Sequence, residues 1–111
     1  MGDVMSFGEI IAKTRKDKGL SQRQLASLIK KEDGQAISAP YLNDIEHDRR
    51  SPSSDHIIEQ FAAALQIESD LLYFAIRRIP PQAYVTPIGE KRIIAAFRAL
   101  RREVEQAEAI T

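Results

Sequence analysis

The chain has 111 residues, no cysteine, and 16 basic against 16 acidic residues. This length allows one domain with an appendage, and the lack of cysteine excludes disulfides and thiolate metal sites, which fits a reducing cytoplasm. A net charge of zero argues against attachment to DNA by bulk electrostatics alone. No apolar run has the length of a signal peptide or a membrane span, so we expect a cytoplasmic protein.

Charge is unevenly distributed along the chain. Basic residues crowd the first third, at Lys13, Arg15, Lys16, Lys18, Arg23, Lys30 and Lys31. Acidic residues concentrate further on, at Asp44, Glu46, Asp48, Asp55 and Glu59. A local basic surface is therefore compatible with the neutral total.

The first predicted helix begins after Ser6. Ser6 and Glu9 have the spacing of a capping box, and Gly19 can end the helix in the left-handed conformation. Its apolar stripe consists of Phe7, Ile10 and Ile11. The basic residues of its last turn suit the negative end of the helix dipole, so a solvated face and phosphate contact explain them equally well.

Two short helices joined by a polar loop are predicted between Leu20 and Pro52. Ser21 begins the first, because Gln24 completes a second capping box, and its apolar face holds Leu25, Ala26, Leu28 and Ile29. The second begins at Ser38 or Ala39, with Pro40 in the first turn, where its missing N–H costs nothing. It buries only a narrow stripe, at Leu42 and Ile45. The face left free holds Ala39, Pro40, Tyr41, Asn43, Asp44 and His47.

A fourth and a fifth helix follow. Helical spacing places Ile58, Phe61, Ala62 and Leu65 on the core face of the fourth, where we expect Phe61 to be a core residue and not a stacking platform for bases. Ser69 is predicted to cap the fifth helix. Its inward side chains are predicted to be Leu71, Leu72, Ala75 and Ile76. Pro80 and Pro81 prevent its continuation.

Residues 80–89 are predicted to be a proline-stiffened linker, and residues 90–109 an amphipathic helix. Its apolar side chains alternate steps of four and three, the rhythm of a coiled-coil seam, at Ile93, Phe97, Leu100 and Val104. This stripe needs a partner, which is either the same helix of a second subunit or the back of the chain's own five-helix unit. We favour dimerisation, because DNA readers of this geometry usually act in pairs.

The order of these residues resembles the phage-repressor and Cro-like helix-turn-helix family of transcription regulators, also called the xenobiotic response element (XRE) family. The matching runs are Leu-Ser-Gln-x-x-Leu-Ala from Leu20, Ile-Ser-x-x-Tyr-Leu-x-x-Ile-Glu from Ile37, and Arg-Arg-x-Pro-Ser from Arg49. The resemblance implies an all-α fold, with a five-helix repressor-like DNA-binding domain over residues 6–79 and a C-terminal helix beyond the linker.

The resemblance also implies which residues meet DNA. The third helix would enter the major groove, where phosphate contacts fix the register and base contacts select the sequence. Ser21, Gln22, Arg49 and Arg50 match phosphate-positioning groups, Tyr41 a backbone or sugar contact, and Ala39, Pro40, Asn43 and Asp44 groove-facing positions. Arg15 and Glu46 match a structural pair that ties the first helix to the end of the third.

Each of these predicted roles competes with another explanation of the same residue. Ser21 is already explained as a cap, and Ala39 and Pro40 offer only apolar contact, such as to a thymine methyl. Asn43 can read adenine and Asp44 can accept from cytosine, yet the acids around them repel phosphate unless they are neutralised. The neutralising side chains would be Arg15, Arg49 and Arg50. Asp48 stands where relatives usually have glycine, which predicts strain at the end of this helix.

Residues 30–36 occupy a place where relatives have little more than a glycine. An insertion of this size costs little loop-closure entropy, so the fold should tolerate it. Two roles remain open: the segment places Lys30, Lys31 or Gln35 against the DNA backbone, or it is a solvated loop.

We therefore expect a sequence-specific DNA-binding regulator of bacterial or phage type, a repressor that acts as a homodimer on a palindromic operator. The alternative is a protein-interaction module or antitoxin-type autoregulator that binds a partner protein through the C-terminal helix. Neither catalysis nor a cofactor is expected. His47 and His56 lie on different predicted helices without a triad, a glycine-rich phosphate loop or metal-ligand spacing, so no metal site is expected.

Overall fold

The computed structural model describes residues 5–110, apart from the side chains of residues 84, 85 and 110. These residues contain seven helices and one isolated β-bridge. The helices are α1 (Phe7–Asp17), α2 (Gln22–Leu28), α3 (Ala39–Glu46), α4 (Asp55–Leu65), α5 (Ser69–Ala75), α6 (Gln82–Val85) and α7 (Gly89–Ile110). Of the described residues, 5–80 form one compact unit, which holds α1–α5, and 81–110 belong to a second.

Serine side chains start the first four helices. The caps are Ser6, Ser21, Ser38 and Ser54, each accepting a hydrogen bond from an amide of the first turn. The two capping boxes predicted for α1 and α2 are confirmed, since Glu9 and Gln24 each accept from the backbone N–H of their own cap residue. Ser38 is the cap of α3, so that helix begins at Ala39. These caps satisfy amides that have no partner within the helix.

The apolar faces of α1–α5 meet in a single core. Its members are Phe7, Ile10, Ile11, Leu25, Ala26, Ile29, Ile37, Leu42, Ile45, Ile57, Ile58, Phe61, Ala62, Leu65, Leu72 and Tyr73. Phe61 is fully buried, and its ring meets that of Phe7 edge-on with the centroids 5.9 Å apart. The prediction that Phe61 fills the core is thereby confirmed.

Three predicted details of α2 and α5 are wrong. Leu28 and Leu71 are 50% and 48% exposed, and Ser69 is the first residue of α5, whose cap position is occupied by Glu68 without a side-chain hydrogen bond. Successive helical residues are about 100° apart, so the face that buries Leu72 and Tyr73 turns Leu71 away from the core. In such short helices a single extra apolar residue does not define which side is buried.

Polar contacts join α5 and the residues after it to α4. The Tyr73 hydroxyl donates to Glu59 Oε2 at 2.7 Å, and Arg78 Nη1 lies 2.7 Å from Asp55 Oδ1. Burial raises the pKa of Tyr73 well above its usual value, and the hydrogen bond to Glu59 and the negative charges of Glu59 and Asp55 raise it further. Tyr73 is therefore both a core residue and a neutral hydrogen-bond donor at neutral pH.

The second unit consists mainly of one long helix. The segment predicted as a linker contains one short helix, α6, and α7 starts at Gly89, which has a positive φ of 78°. Every side chain of α7 that the structure describes is exposed. Ile93, Phe97, Leu100 and Val104, predicted to form an apolar stripe, are between 44% and 49% exposed.

Candidate nucleic-acid interface

Helix α3 is short, and its sequence gives it one buried edge. Leu42 and Ile45 are fully buried, whereas Ala39, Pro40, Tyr41, Asn43 and Asp44 all keep part of their surface accessible. Its amino-terminal turn is fixed by the Ser38 cap, whose hydroxyl accepts from Tyr41 N at 3.1 Å, and by Pro40. The side of α3 that carries most of the predicted base-contacting residues is therefore open, on a helix whose start is rigid.

A buried ion pair holds the carboxyl end of α3 to α1. Arg15 Nε donates to Glu46 Oε2 at 2.7 Å and Arg15 Nη2 to Glu46 Oε1 at 3.1 Å, a two-pronged arrangement. Arg15 Nη1 also donates to the main-chain oxygen of Leu20, just before α2. The pair that the family resemblance implied is present, and it links α1, the start of α2 and α3. Both side chains are almost fully buried, so losing either partner would leave an unpaired buried charge.

A second attachment between the same helices involves Asp48. The φ of Asp48 is 58°, which is the left-handed conformation. The sequence predicted strain here because relatives usually have glycine at this position. The carboxylate accepts from Ser6 Oγ at 2.6 Å and from Gly8 N at 3.0 Å, so it reaches the positive end of α1. These hydrogen bonds offset the backbone strain and hold α3 to α1 at a second point.

Gly8 makes this second attachment possible. A Cβ at Gly8 would overlap the main-chain oxygens of Ile45 and Glu46, the latter at 2.6 Å. Only glycine lets the first turn of α1 approach the last turn of α3 so closely. Neither Gly8 nor the Asp48 contact was identified from the sequence. A glycine inside an otherwise regular helical pattern was the available signal.

A hydrogen-bonded chain runs from Glu46 through Gln22 to Asn43. Gln22 Nε2 donates to Glu46 Oε1 at 2.9 Å and to Asn43 Oδ1 at 3.1 Å. The structure thus brings together Gln22 at the start of α2 and Asn43 in the middle of α3, both of them predicted to contact DNA. The side-chain nitrogen of Gln22 already donates to two protein oxygens. It therefore has no further N–H for a phosphate, as the predicted phosphate contact would need.

The residues just beyond α3 form a cationic cluster. Arg49 Nε lies 3.1 Å from Asp44 Oδ1, and the Arg50 guanidinium stacks on the Tyr41 ring, 5.5 Å from its centroid. The Tyr41 hydroxyl accepts from Ser53 N at 3.1 Å and so holds the loop that follows. Arg49 and Arg50 both remain exposed, and the acids near them are each occupied by a partner within the protein.

Residues 30–36 form a small β-hairpin in the turn between α2 and α3. Lys30 and Ala36 are bridged, Lys31 N donates to Gln35 O at 2.8 Å, and Gly34 has a φ of 85°. Asp33 Oδ1 accepts from Gln35 N, and Lys30 N donates to Gln60 Oε1 of α4 at 3.0 Å. This segment is a structured projection that leads directly into the amino-terminal end of α3.

The remaining predicted residues lie where the helices place them. Ser21 is exposed at the start of α2, and its hydroxyl accepts from Gln24 N at 3.0 Å, which leaves its proton available to another acceptor. No group of three or more histidine, cysteine or acidic side chains able to hold a metal ion occurs within residues 5–110. None of the helices that the structure describes is long and apolar enough to cross a membrane.

Comparisons with known proteins agree with this geometry. A family model described as helix-turn-helix matches residues 11–72, more than half of the chain. A search of curated proteins gave no match. Among solved structures, a complex described as SinR protein with SinI protein has a chain that aligns with a TM-score of 0.52 and 20% identity, covering 90% of this chain and 98% of that one. At this identity the likeness concerns the fold, and with the family match it confirms the predicted all-α helix-turn-helix architecture.

Proposed function

Because the chain belongs to the helix-turn-helix family and is a DNA-binding transcription regulator, we propose that it is a repressor that binds a palindromic operator as a homodimer. The observation that carries the proposal is how α3 is attached to α1. Two attachments to α1, through Glu46 and Asp48, fix its carboxyl end while its groove-facing side chains stay accessible. A helix held in this way can enter a major groove without rearrangement, and the bound dimer would repress by occupying the operator.

The proposed contacts divide by chemistry. Phosphates would be held by Arg49 and Arg50, by the Ser21 hydroxyl and by the free amides at the start of α2. Base edges would meet α3. There Ala39 and Pro40 can contact a thymine methyl, while Asn43 and Asp44 carry the hydrogen-bonding groups. Tyr41 remains a sugar or backbone contact through the donor side of its hydroxyl.

Dimerisation is assigned to α7. Its 22 residues span about 33 Å, and the exposed stripe of Ile93, Phe97, Leu100 and Val104 follows a coiled-coil spacing. A second copy of α7 would bury both stripes. A twofold dimer would then present two copies of α3 to half-sites about one helical turn of DNA apart, which predicts a palindromic operator.

The test is selection of bound duplexes from a random pool, with the mass of the free protein measured in solution. We expect a palindromic consensus, a dimer mass, and affinity that falls steeply with salt. Arg49→Ala should weaken binding to every sequence and lower the salt slope, whereas Asn43→Ala should remove discrimination at one base pair of each half-site. A protein that retains no duplex in dilute buffer would contradict the proposal.

A second function is favoured by one specific observation, the exposed apolar stripe of α7. The solved neighbour is a complex between two different proteins, and by analogy the stripe would receive a helix of another protein, as in an antitoxin-type autoregulator. A monomer in solution that retains operator binding would favour this reading over the homodimer. We place either assembly in the cytoplasm, on DNA.

A further inference from the structure

The hydrogen-bonded chain between Glu46 and Asn43 has a fixed direction. Arg15 holds the Glu46 carboxylate in place by a two-pronged pair, and a carboxylate can only accept hydrogen bonds. Gln22 must therefore turn its NH2 group, not its oxygen, toward Glu46, as the distance of 2.9 Å from Nε2 to Oε1 records. The orientation of the Gln22 amide is thus set by a buried charge.

The orientation of the Gln22 amide in turn sets the orientation of the Asn43 amide. The second N–H of Gln22 points at Asn43, so the Asn43 oxygen must accept this hydrogen bond. Gln22 Nε2 lies 3.1 Å from Asn43 Oδ1. Turning the Asn43 amide over would set two NH2 groups against each other. The Nδ2 group of Asn43 consequently faces away from Gln22, and it donates no hydrogen bond to any atom of residues 5–110.

We propose that Arg15, Glu46 and Gln22 act as positioning residues that turn the Nδ2 group of Asn43 outward as a donor to the major groove, selecting guanine. Guanine shows two acceptors there, O6 and N7, and the Nδ2 group has two protons. The bidentate pairing of asparagine with adenine needs the amide oxygen to face the base beside the donor, whereas here one of the two lone pairs of that oxygen accepts from Gln22 and the oxygen is turned toward Gln22. Thymine and adenine each show one acceptor there, so both should rank below guanine. This replaces the adenine contact considered from the sequence, and it rests on the proposed function.

The experiment uses the full-length protein and a panel of operators. Asn43→Ala first identifies the base pair at which discrimination disappears. At that pair the wild type should bind guanine about tenfold more tightly than adenine, within the range for one good base contact. Gln22→Ala frees the Asn43 oxygen, so the preference should fall to about threefold or less, with the salt slope unchanged, since no phosphate contact is lost.

Asn43→Asp sharpens the test because it keeps the oxygen that faces Gln22 but replaces the outward donor with an acceptor. The preferred base should then change from guanine to cytosine, whose N4 amino group donates. Gln106→Ala, on the side of α7 away from its apolar stripe, is the matched glutamine control and should leave base preference unchanged.

The chain contains one asparagine, so isotope labelling of asparagine side chains gives a single NH2 signal. We expect this NH2 group to exchange freely with water in the free protein and to become protected on the guanine operator. A wild-type preference for adenine at the Asn43 pair, or a Gln22→Ala variant with undiminished guanine preference, overturns the inference and leaves the proposed function intact. Failure to bind any duplex overturns both.

Discussion

The two units of the chain solve the problem of stabilising a helix in opposite ways. In α1–α5 the apolar faces are buried in one core, and polar side chains join helices far apart in sequence, as Asp48 does with Ser6 and Gly8. In α7, a helix of 22 residues, an apolar stripe of similar periodicity is exposed between Ile93 and Val104. Helices gain most of their stability from burying such a face. The comparison teaches that α1–α5 bury their apolar faces within one chain, while the stripe of α7 is the surface that we propose for an intermolecular partner.

The largest expected effect comes from replacing Gly8, where α1 and α3 of the first unit approach each other. Gly8→Ala would push a methyl group into the main-chain oxygens of Ile45 and Glu46, which cannot move as a flexible side chain does. We expect a loss of about 3 kcal/mol of unfolding free energy, at the upper end for overpacking, and weaker operator binding because α3 is displaced. Chemical denaturation measures the first quantity and salt-matched titration the second.

The control for this variant is Gly34→Asn in the hairpin. Gly34 has a left-handed φ and open space around it, and asparagine tolerates that conformation, so the cost should stay below about 1 kcal/mol. Equal stability of Gly8→Ala and the wild type would mean that α1 and α3 do not approach as closely as described.

The next effect concerns the apolar stripe of α7 and tests whether it forms a dimer. Phe97→Glu places a charge in the middle of the α7 stripe, and burying that charge in a dimer is costly. We expect at least about 100-fold weaker dimerisation, equivalent to about 2.7 kcal/mol, with unchanged stability of α1–α5. Sedimentation across a concentration series measures the dimer. Gln106→Glu introduces the same side chain on the opposite side of α7 and should leave the mass unchanged. A dimer that survives Phe97→Glu would exclude the stripe as its interface.

Sequence reasoning predicted best what is decided locally. Serine caps predicted the starts of α1–α3, and apolar spacing predicted the core face of α4, because both act within one or two helical turns. Asp33 followed by Gly34 is a common turn pair, although the sequence predicted only a loop where they form a hairpin. In contrast, the link from Gln22 to Asn43 spans 21 residues, and the contact of Asp48 with Ser6 spans 42. Such contacts depend on how helices pack, which periodicity does not encode.

The misassigned faces have the same origin. In α5 the structure buries Tyr73, whose hydroxyl donates to Glu59 of α4, and exposes Leu71. Which side of α5 is buried depends on how this helix packs against α4. The residue roles at the DNA surface were predicted through resemblance. What resemblance left open, such as which atoms of Asn43 are free, follows from hydrogen-bond partners that only the folded chain brings together.

A smaller effect, confined to the first unit, appears at high pH. The pKa of Tyr73 is raised in the folded state, so the unfolded chain loses this proton first, from about pH 10 upward. The stabilisation is complete below that pH and is lost as pH rises toward the folded-state pKa. Relative to Tyr73→Phe, the wild type should lose up to about 1.4 kcal/mol per pH unit above pH 10. Denaturation of both proteins between pH 8 and 11 measures the difference, and parallel pH profiles would contradict it.

The smallest expected effect concerns the hairpin of residues 30–36 in the first unit. Lys30 forms the isolated bridge with Ala36, and Lys31 follows it. Neighbouring residues of extended backbone point to opposite sides, so we expect only one of the two lysines to face a duplex bound at α3. One of the single alanine variants should therefore weaken binding about threefold and reduce the salt slope by about one, while the other serves as its control. If both variants bind as the wild type does at every salt concentration, the hairpin is a solvated projection. In that case its backbone contact with Gln60 would matter only for holding the turn that leads into α3.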